Sequence, residues 1–293
     1  MKVAIGIPAF NEEKNIASII AKLQKSFYSI IVCNDGSSDM TGSIAEKMGA
    51  IVINHTRNFG YGSAIKSIFS KARELDYDVL VTFDADGQHR TSDIPRILEP
   101  ILSAKADIVI GSRFSGEERS KIPKYRAVGI KAITKLANSE SNSKITDAQS
   151  GFRGYNKKVL QEISPSDSGM GVSTEILIKA NQKNFTMVEV PIMVLYEGET
   201  STHNPASHGI SVILSTMKFI SIERPLKFYG VPGISFLGIS LIFIVWTLQI
   251  FSETRQIITN IALIGIGSLV FGTLLIMTAI LLYSLVSVVR ERR

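Results

Sequence analysis

From Tyr229 to Phe251, and again from Thr259 to Val289, the chain carries no charged side chain. At about 1.5 Å per helical residue, each stretch is long enough to cross the roughly 30 Å hydrocarbon layer of a bilayer. The short connection from Ser252 to Gln256 has no room for a folded loop, so the two stretches are expected to form a helical hairpin. Basic residues flank it at both ends, Arg224 and Lys227 on one side and Arg290, Arg292 and Arg293 on the other. The positive-inside rule then puts both ends in the cytosol. Just upstream, Ile210, Ile213, Leu214, Met217 and Ile220 recur at helical spacing opposite Ser211, Ser215, Lys218 and Ser221. This pattern fits a helix lying in the membrane interface as well as one packed on a neighbouring domain.

Before about Ser207 charges recur every few residues, as in a water-facing domain. The expected plan is a cytosolic head at 1–207, a juxtamembrane amphipathic helix at 208–228 and a transmembrane hairpin with a basic end at 229–293. The single cysteine, Cys33, sits in an apolar run and reads as a small buried hydrophobe. Met1-Lys2 leads directly into an apolar strand, without the length or cleavage site of a secretory signal, so the head is expected to stay in the cytosol. The net charge of +6 comes from bases before and between the apolar segments, with no nucleic-acid motif beside them. Attraction to anionic lipid explains that charge, and nucleic acid is not expected as a partner.

Within the head, β-rich runs at Val3–Ile7, Ile30–Cys33, Ala50–Asn54, Val79–Phe83 and Ile108–Ile110 alternate with helical patterns at Glu12–Lys25, Asp39–Met48, Gly60–Glu74 and Thr91–Ser103. Such alternation predicts an α/β fold with a doubly wound, mainly parallel sheet and ligands beyond the carboxyl ends of its strands. The polar clusters fall at those ends: Pro8–Glu13 after the first strand, Asn34–Asp39 after the second, Asp84–His89 after the fourth. No G-x-G-x-x-G follows the first strand, which argues against a plain dinucleotide-binding dehydrogenase.

Asp84-Ala85-Asp86 places two hard carboxylates at a strand end. An aspartate pair approaches a diphosphate only with a divalent cation between them, and carboxylate oxygens suit Mg2+ or Mn2+. Asp-x-Asp is also common as a turn or a helix cap. Asp39, at the start of a helical pattern, reads as a cap. Asp35 is positioned to accept a hydrogen bond from a uracil or guanine edge or from a ribose hydroxyl.

PAFNEE, NDGSSD, DADGQH, GSRF and QSGFRGY occur in that order between Pro8 and Tyr155, within a resemblance that covers about residues 3–200. Together they resemble family 2 glycosyltransferases of the GT-A fold, in particular the dolichyl- and polyprenyl-phosphate sugar synthases. The two-helix tail is similar to members with such a hairpin, and STHNPASHG followed by RPLKFYGVPG resembles archaeal members that load the first sugar on dolichyl phosphate. The resemblance implies an inverting hexosyltransferase that moves sugar from a UDP- or GDP-linked donor to dolichyl or polyprenyl phosphate. It implies a nucleotide pocket of Pro8, Phe10, Glu12, Asp35, Asp84 and Ala85, a metal and diphosphate group of Asp84, Asp86 and Gln88, and catalytic roles for Asp86, Arg113 and Arg126. Acceptor phosphate is implied to meet Arg113, Arg126 and Arg153. Gly151, Phe152 and Arg153 either shape the acceptor pocket or hold a turn, and Asp147 either orients a neighbour or does the same. Lys121, Lys124, Lys131 and Lys135 surround Arg126, on a helical stripe of Tyr125, Val128, Gly129, Ala132, Ile133 and Leu136. That stretch suits a lipid phosphate at a bilayer, or a solvated surface helix.

Two positions depart from the family pattern. Ile130 stands where many members have serine, and YEGETSTHN lacks the late basic residue, with His203, Asn204 and His208 nearby but not counted as catalytic. A processive polysaccharide synthase would carry Gln-x-x-Arg-Trp, whereas the single tryptophan, Trp246, lies in the first apolar stretch. The other alternative is a non-catalytic, membrane-tethered nucleotide-sugar-binding protein. The expected partners are the nucleotide sugar, the lipid phosphate and the bilayer, with a homo-oligomer left open.

Overall fold

The strands of the head are apolar on both faces, so they can be buried only where helices cover each side of the sheet. In the computed structural model, which describes residues 1–26, 28–115, 134, 145–194, 217, 221–222 and 224–291, this is the arrangement found. The chain forms two compact units, Met1–Thr216 and Met217–Arg293.

The first unit runs β1 (Val3–Ala9), α1 (Glu13–Gln24), β2 (Ser29–Asn34), α2 (Thr41–Lys47), β3 (Ile51–Asn54), α3 (Tyr61–Glu74), β4 (Val79–Thr82), a 3-10 turn at Thr91–Asp93, α4 (Ile94–Leu102) and β5 (Ile108–Ser112). Then come β6 (Arg153–Asn156), α5 (Lys157–Glu162), α6 (Val172–Gln182) and β7 (Met187–Pro191). The seven strands lie in the order β3-β2-β1-β4-β6-β5-β7. All neighbours pair parallel except β6, which is antiparallel to β4 and β5. Ile5, Ile7, Val32 and Val81 face α1 and α4 through Ile16, Ile20, Leu23, Ile97 and Leu98. Ala4, Ile31, Cys33 and Leu80 face α3 and α6 through Ile65, Ile68, Phe69 and Ile176.

The topology puts the polar ends together. Thr82 at the end of β4 pairs with Arg153 at the start of β6, so the segment entering β6 lies beside the carboxyl ends of the parallel strands. Ala9 in β1 pairs with Asn34 in β2, which sets the PAFNEE and NDGSSD turns side by side. The expected mainly parallel doubly wound sheet is present, with one reversed strand in its middle.

In the second unit a π-helical turn (Leu226–Gly230) leads into α7 (Val231–Thr254) and α8 (Thr259–Glu291). Both helices are long and apolar enough to cross a membrane, with spans at Leu226–Thr254 and Thr259–Val288 and mean hydropathies of 2.2 and 2.4. They form a candidate transmembrane hairpin. Arg255 turns the chain in a left-handed conformation at φ 57°. Small residues let the helices approach: a Cβ on Gly233 would lie 2.7 Å from Ile276 Cγ1, and one on Gly272 would lie 3.0 Å from the Gly233 carbonyl. The buried Ser240 hydroxyl donates to the Gly265 carbonyl at 2.8 Å. Leu241, Ile242, Leu248, Leu263, Leu281 and Leu285 point outward, as a hydrocarbon solvent requires.

Candidate active site

The turns after β1 and β2 are cross-linked before any ligand enters. Asn11, itself at φ 55°, receives the Ser38 amide on its side chain at 2.9 Å and donates its own amide to Ser37 Oγ at 3.0 Å. The Glu12 amide donates to Thr41 Oγ1 at 2.7 Å, and the Glu13 amide to Asp39 Oδ2 at 3.1 Å. Asp39 also receives the Thr41 amide at 3.0 Å, so it ties the first turn of α2 to the start of α1; the cap position itself falls on Met40, one residue after the cap expected at Asp39. Of the residues expected around the nucleotide, Pro8 and Ala85 are buried, Glu12 is half-buried, and Phe10 presents an exposed ring at the end of β1.

Asp35, just after β2, is almost wholly buried. Its Oδ1 accepts from His55 Nδ1 at 2.6 Å and from the Phe59 amide at 3.0 Å, and its Oδ2 from the Gly60 amide at 2.8 Å. Three of about four lone-pair positions are therefore taken by the protein. Gly36, at φ 68°, lets the 57–58 backbone pass close by, since a Cβ there would lie 2.5 Å from the Asn58 nitrogen. Burial, with the Asp35 charge adding to it, pushes the Cys33 thiol up to about 12, so it stays neutral, as the sequence suggested.

At the end of β4 the two aspartates differ. Asp84 Oδ1 accepts from the Tyr61 hydroxyl at 3.2 Å, and its Oδ2 lies 3.2 Å from His89 Nε2. Burial pushes its carboxyl up, but His89, the Tyr61 hydroxyl and the Arg113 charge outweigh this and hold it below the usual range. Asp86 accepts one hydrogen bond from the described residues, the Gln88 amide at 2.9 Å. Burial and then the Asp84 charge lift its carboxyl above the ordinary value. Glu12 is lifted as well, by burial and then by Asp86, Asp39 and Asp84, against the hydrogen bond from Asn15.

This corner holds an excess of negative charge with few donors, and a divalent cation would reverse each of those repulsions. Among the described residues no three His, Cys, Asp or Glu side chains converge in ligand geometry. The carboxylate oxygens of Asp84 and Asp86 are hard donors of the kind that suit a divalent cation.

Gly151 explains itself by distance: a Cβ would lie 2.6 Å from both Asp84 Oδ2 and the Tyr61 hydroxyl. Arg113, directly after β5, gives Nε and Nη2 to Asp147 at 2.6 and 2.7 Å. Asp147 is fully buried and thus aims that guanidinium. It is fixed in turn by Glu189 of β7, which accepts the Thr146 and Asp147 amides at 2.8 and 2.9 Å.

The acceptor role expected of Arg153 is corrected by the structure. Arg153 is 1% exposed and donates to the Ser173 and Ala148 carbonyls at 2.7 and 2.8 Å, so its guanidinium pins α6 and the 148–151 turn to the sheet. Phe152 is fully buried as well. Arg126 and its lysines, the His203, Asn204 and His208 loop, and the 208–216, 218–220 and 223 parts of the expected juxtamembrane helix lie outside the described residues. The sequence reading missed Tyr61, His55 and the part played by His89. His89 lies within the DADGQH motif itself, whereas Tyr61 is separated from Asp84 by two elements and carries no local mark.

Residues 4–164 match the family described as Glycosyl transferase family 2. Over 211 residues the chain is 34% identical to a UDP-N-acetylglucosamine–dolichyl-phosphate N-acetylglucosaminyltransferase of Methanococcus voltae, covering 65% of this chain and 84% of that one. It is 32% identical over 202 residues to a polyprenol monophosphomannose synthase of Mycolicibacterium smegmatis, covering 64% and 74%. The fold is similar to glucosyl-3-phosphoglycerate synthase of Mycobacterium tuberculosis, solved with Mn2+, UDP-glucose and phosphoglyceric acid. That likeness has a TM-score of 0.58 at 20% identity and covers 74% of this chain and 79% of that one. With the family motifs set along one sheet edge and the family match spanning more than half its length, the chain belongs to glycosyl transferase family 2.

Proposed function

We propose that this glycosyltransferase moves a hexose-type sugar from a nucleotide diphosphate to a polyprenyl (dolichyl) phosphate at the cytosolic face of a membrane. The observation that carries the reading is Asp86, a half-buried carboxylate just after β4 with one hydrogen-bond donor among the described residues and a second carboxylate beside it, in a chain that carries an apolar hairpin. Both curated relatives named above carry a lipid phosphate or polyprenol in their names, which supports the acceptor class. Their sugars differ, so the family leaves the choice of sugar and base open.

In this reading 1–207 is the catalytic head, 208–228 the juxtamembrane helix and 229–293 the anchor. Phe10 offers a ring face to the base, while Glu12 and Asp35 accept hydrogen bonds from the nucleoside. Asp84, Asp86 and Gln88 would hold Mg2+ or Mn2+, which would supply positive charge to neutralise the departing diphosphate. Asp84 is kept ionised and oriented by Tyr61 and His89. Arg113, aimed by Asp147, and Arg126 position the acceptor phosphate and screen its charge. A phosphate monoester is anionic near neutral pH, so its oxygen attacks the anomeric carbon without a strong protein base. One such displacement inverts the anomeric configuration.

The test uses membranes containing the full chain, a panel of labelled UDP- and GDP-sugars, dolichyl phosphate and a divalent cation. Label in the organic phase, with inverted configuration and lost in chelator, is the expected result. Binding of nucleotide without transfer would instead favour the non-catalytic alternative, and label in long polysaccharide the processive one.

A further inference from the structure

Resting on the reading of Asp35 as a nucleoside contact, the geometry points to His55 and Ser67 as positioning residues: they orient Asp35 so that its uncommitted lone pair meets an N–H or O–H of the donor nucleoside. An ionised carboxylate only accepts, so the proton between His55 Nδ1 and Asp35 Oδ1, 2.6 Å apart, belongs to the imidazole. That fixes the ring, whose Nε2 lies 2.8 Å from Ser67 Oγ on α3 and 3.5 Å from Cys33 Sγ on β2. The ring also packs edge-on against Phe59, with centroids 5.4 Å apart. His55 thus joins the exit of β3, the end of β2 and α3 into one cluster, at 12% side-chain exposure where hydrogen bonds are strong. The Phe59 and Gly60 amides hold one side of the carboxylate, and His55 sets its rotation about the remaining axis. Without the imidazole, Oδ1 keeps a single donor and the carboxylate is free to turn its open lone pair away from the nucleoside.

The experiment titrates UDP and GDP, with divalent cation, into the full chain in detergent, and measures donor KM and kcat at saturating lipid phosphate. His55→Ala is expected to weaken nucleotide binding and raise donor KM by about tenfold, the scale of a lost hydrogen bond to a charged group, with kcat held within about twofold. His55→Asn, whose amide N–H reaches roughly the Nδ1 position, is expected to recover most of the affinity. His55→Gln, which places its N–H near Nε2, is expected not to, and this pair decides the matter if the alanine variant does not fold. Ser67→Ala is expected to cost about threefold.

Wild-type affinity in His55→Ala overturns the proposal, as does a fall in kcat with donor KM unchanged, or His55→Asn no better than His55→Gln. Asp35→Asn separates the two failures. If it loses nucleotide while His55→Ala does not, the positioning role falls and the nucleoside contact stands. If the wild-type chain binds neither UDP nor GDP, both fall.

Discussion

Two corners of the same sheet edge hold aspartates in opposite ways. After β2, Asp35 accepts three hydrogen bonds from His55, Phe59 and Gly60, and Asp39 is spent on helix starts. After β4, Asp86 accepts one from the described residues, with Asp84 and Glu12 adding negative charge. A carboxylate surrounded by protein donors is a rigid acceptor with its charge already compensated. One half-buried among other carboxylates with little compensation is a place where a cation is stabilised. The difference teaches that residue type and strand position alone do not separate these roles; the number of donors supplied by the surrounding backbone does.

The hardest test of the contrast is Asp86→Ala, which removes the undersupplied carboxylate. Transfer is expected to fall on the order of 10³-fold, with little loss of thermal stability because a like-charge repulsion goes too. Asp35→Ala tested in parallel should do the reverse in proportion, losing stability. Equal effects of the two variants on melting temperature would erase the distinction. Asp147→Ala comes next. It leaves the Arg113 guanidinium without its bidentate partner, and transfer is expected to drop about 100-fold, with a stability loss of about 3 kcal/mol measured by denaturant unfolding. Gly151→Ala follows, since its Cβ would press on Asp84 and Tyr61 at 2.6 Å. A loss of about tenfold in transfer and about 1–3 kcal/mol is expected; unchanged activity would mean that the placement of Asp84 is not critical.

How much of this was legible in the sequence follows from the range of the forces involved. Strands β1 to β5 and helices α1 to α4 declared themselves because each buries a continuous apolar run or stripe, a local property. The hairpin did so for the same reason, magnified by the length a bilayer demands. The reversed strand β6, Arg153–Asn156, has no apolar run and owes its place to pairing with β4 and β5, a tertiary effect. The same cause misled the reading of Arg153. The resemblance left Arg153 between an acceptor contact and the holder of a turn, and only the fold shows that two carbonyls of its own chain take the guanidinium. Asp84, Asp86 and Arg113 were readable from motifs, and Asp147 as a residue that orients a neighbour or holds a turn, whereas Tyr61 and Glu189 come from distant segments that a motif does not span.

The smallest expected effect tests the compensated side of the contrast at Asp39. Partial burial pushes its carboxyl up, but hydrogen bonds from the Thr41 hydroxyl and amide and the Glu13 amide outweigh this and hold it below the ordinary value of about 4. A group depressed in the folded state contributes stability that is present above its unfolded pKa and lost as the pH falls through its folded pKa. Asp39→Ala is therefore expected to cost about 1 kcal/mol at neutral pH, the scale of a lost helix cap, and the gap to wild type should close as the pH is lowered below 4. Transfer at neutral pH should stay within about twofold, because the residue ties α1 to α2 and faces no reacting group. A loss of transfer approaching that of Asp86→Ala would place Asp39 on the cation side of the edge, and the division between the two corners would have to be redrawn.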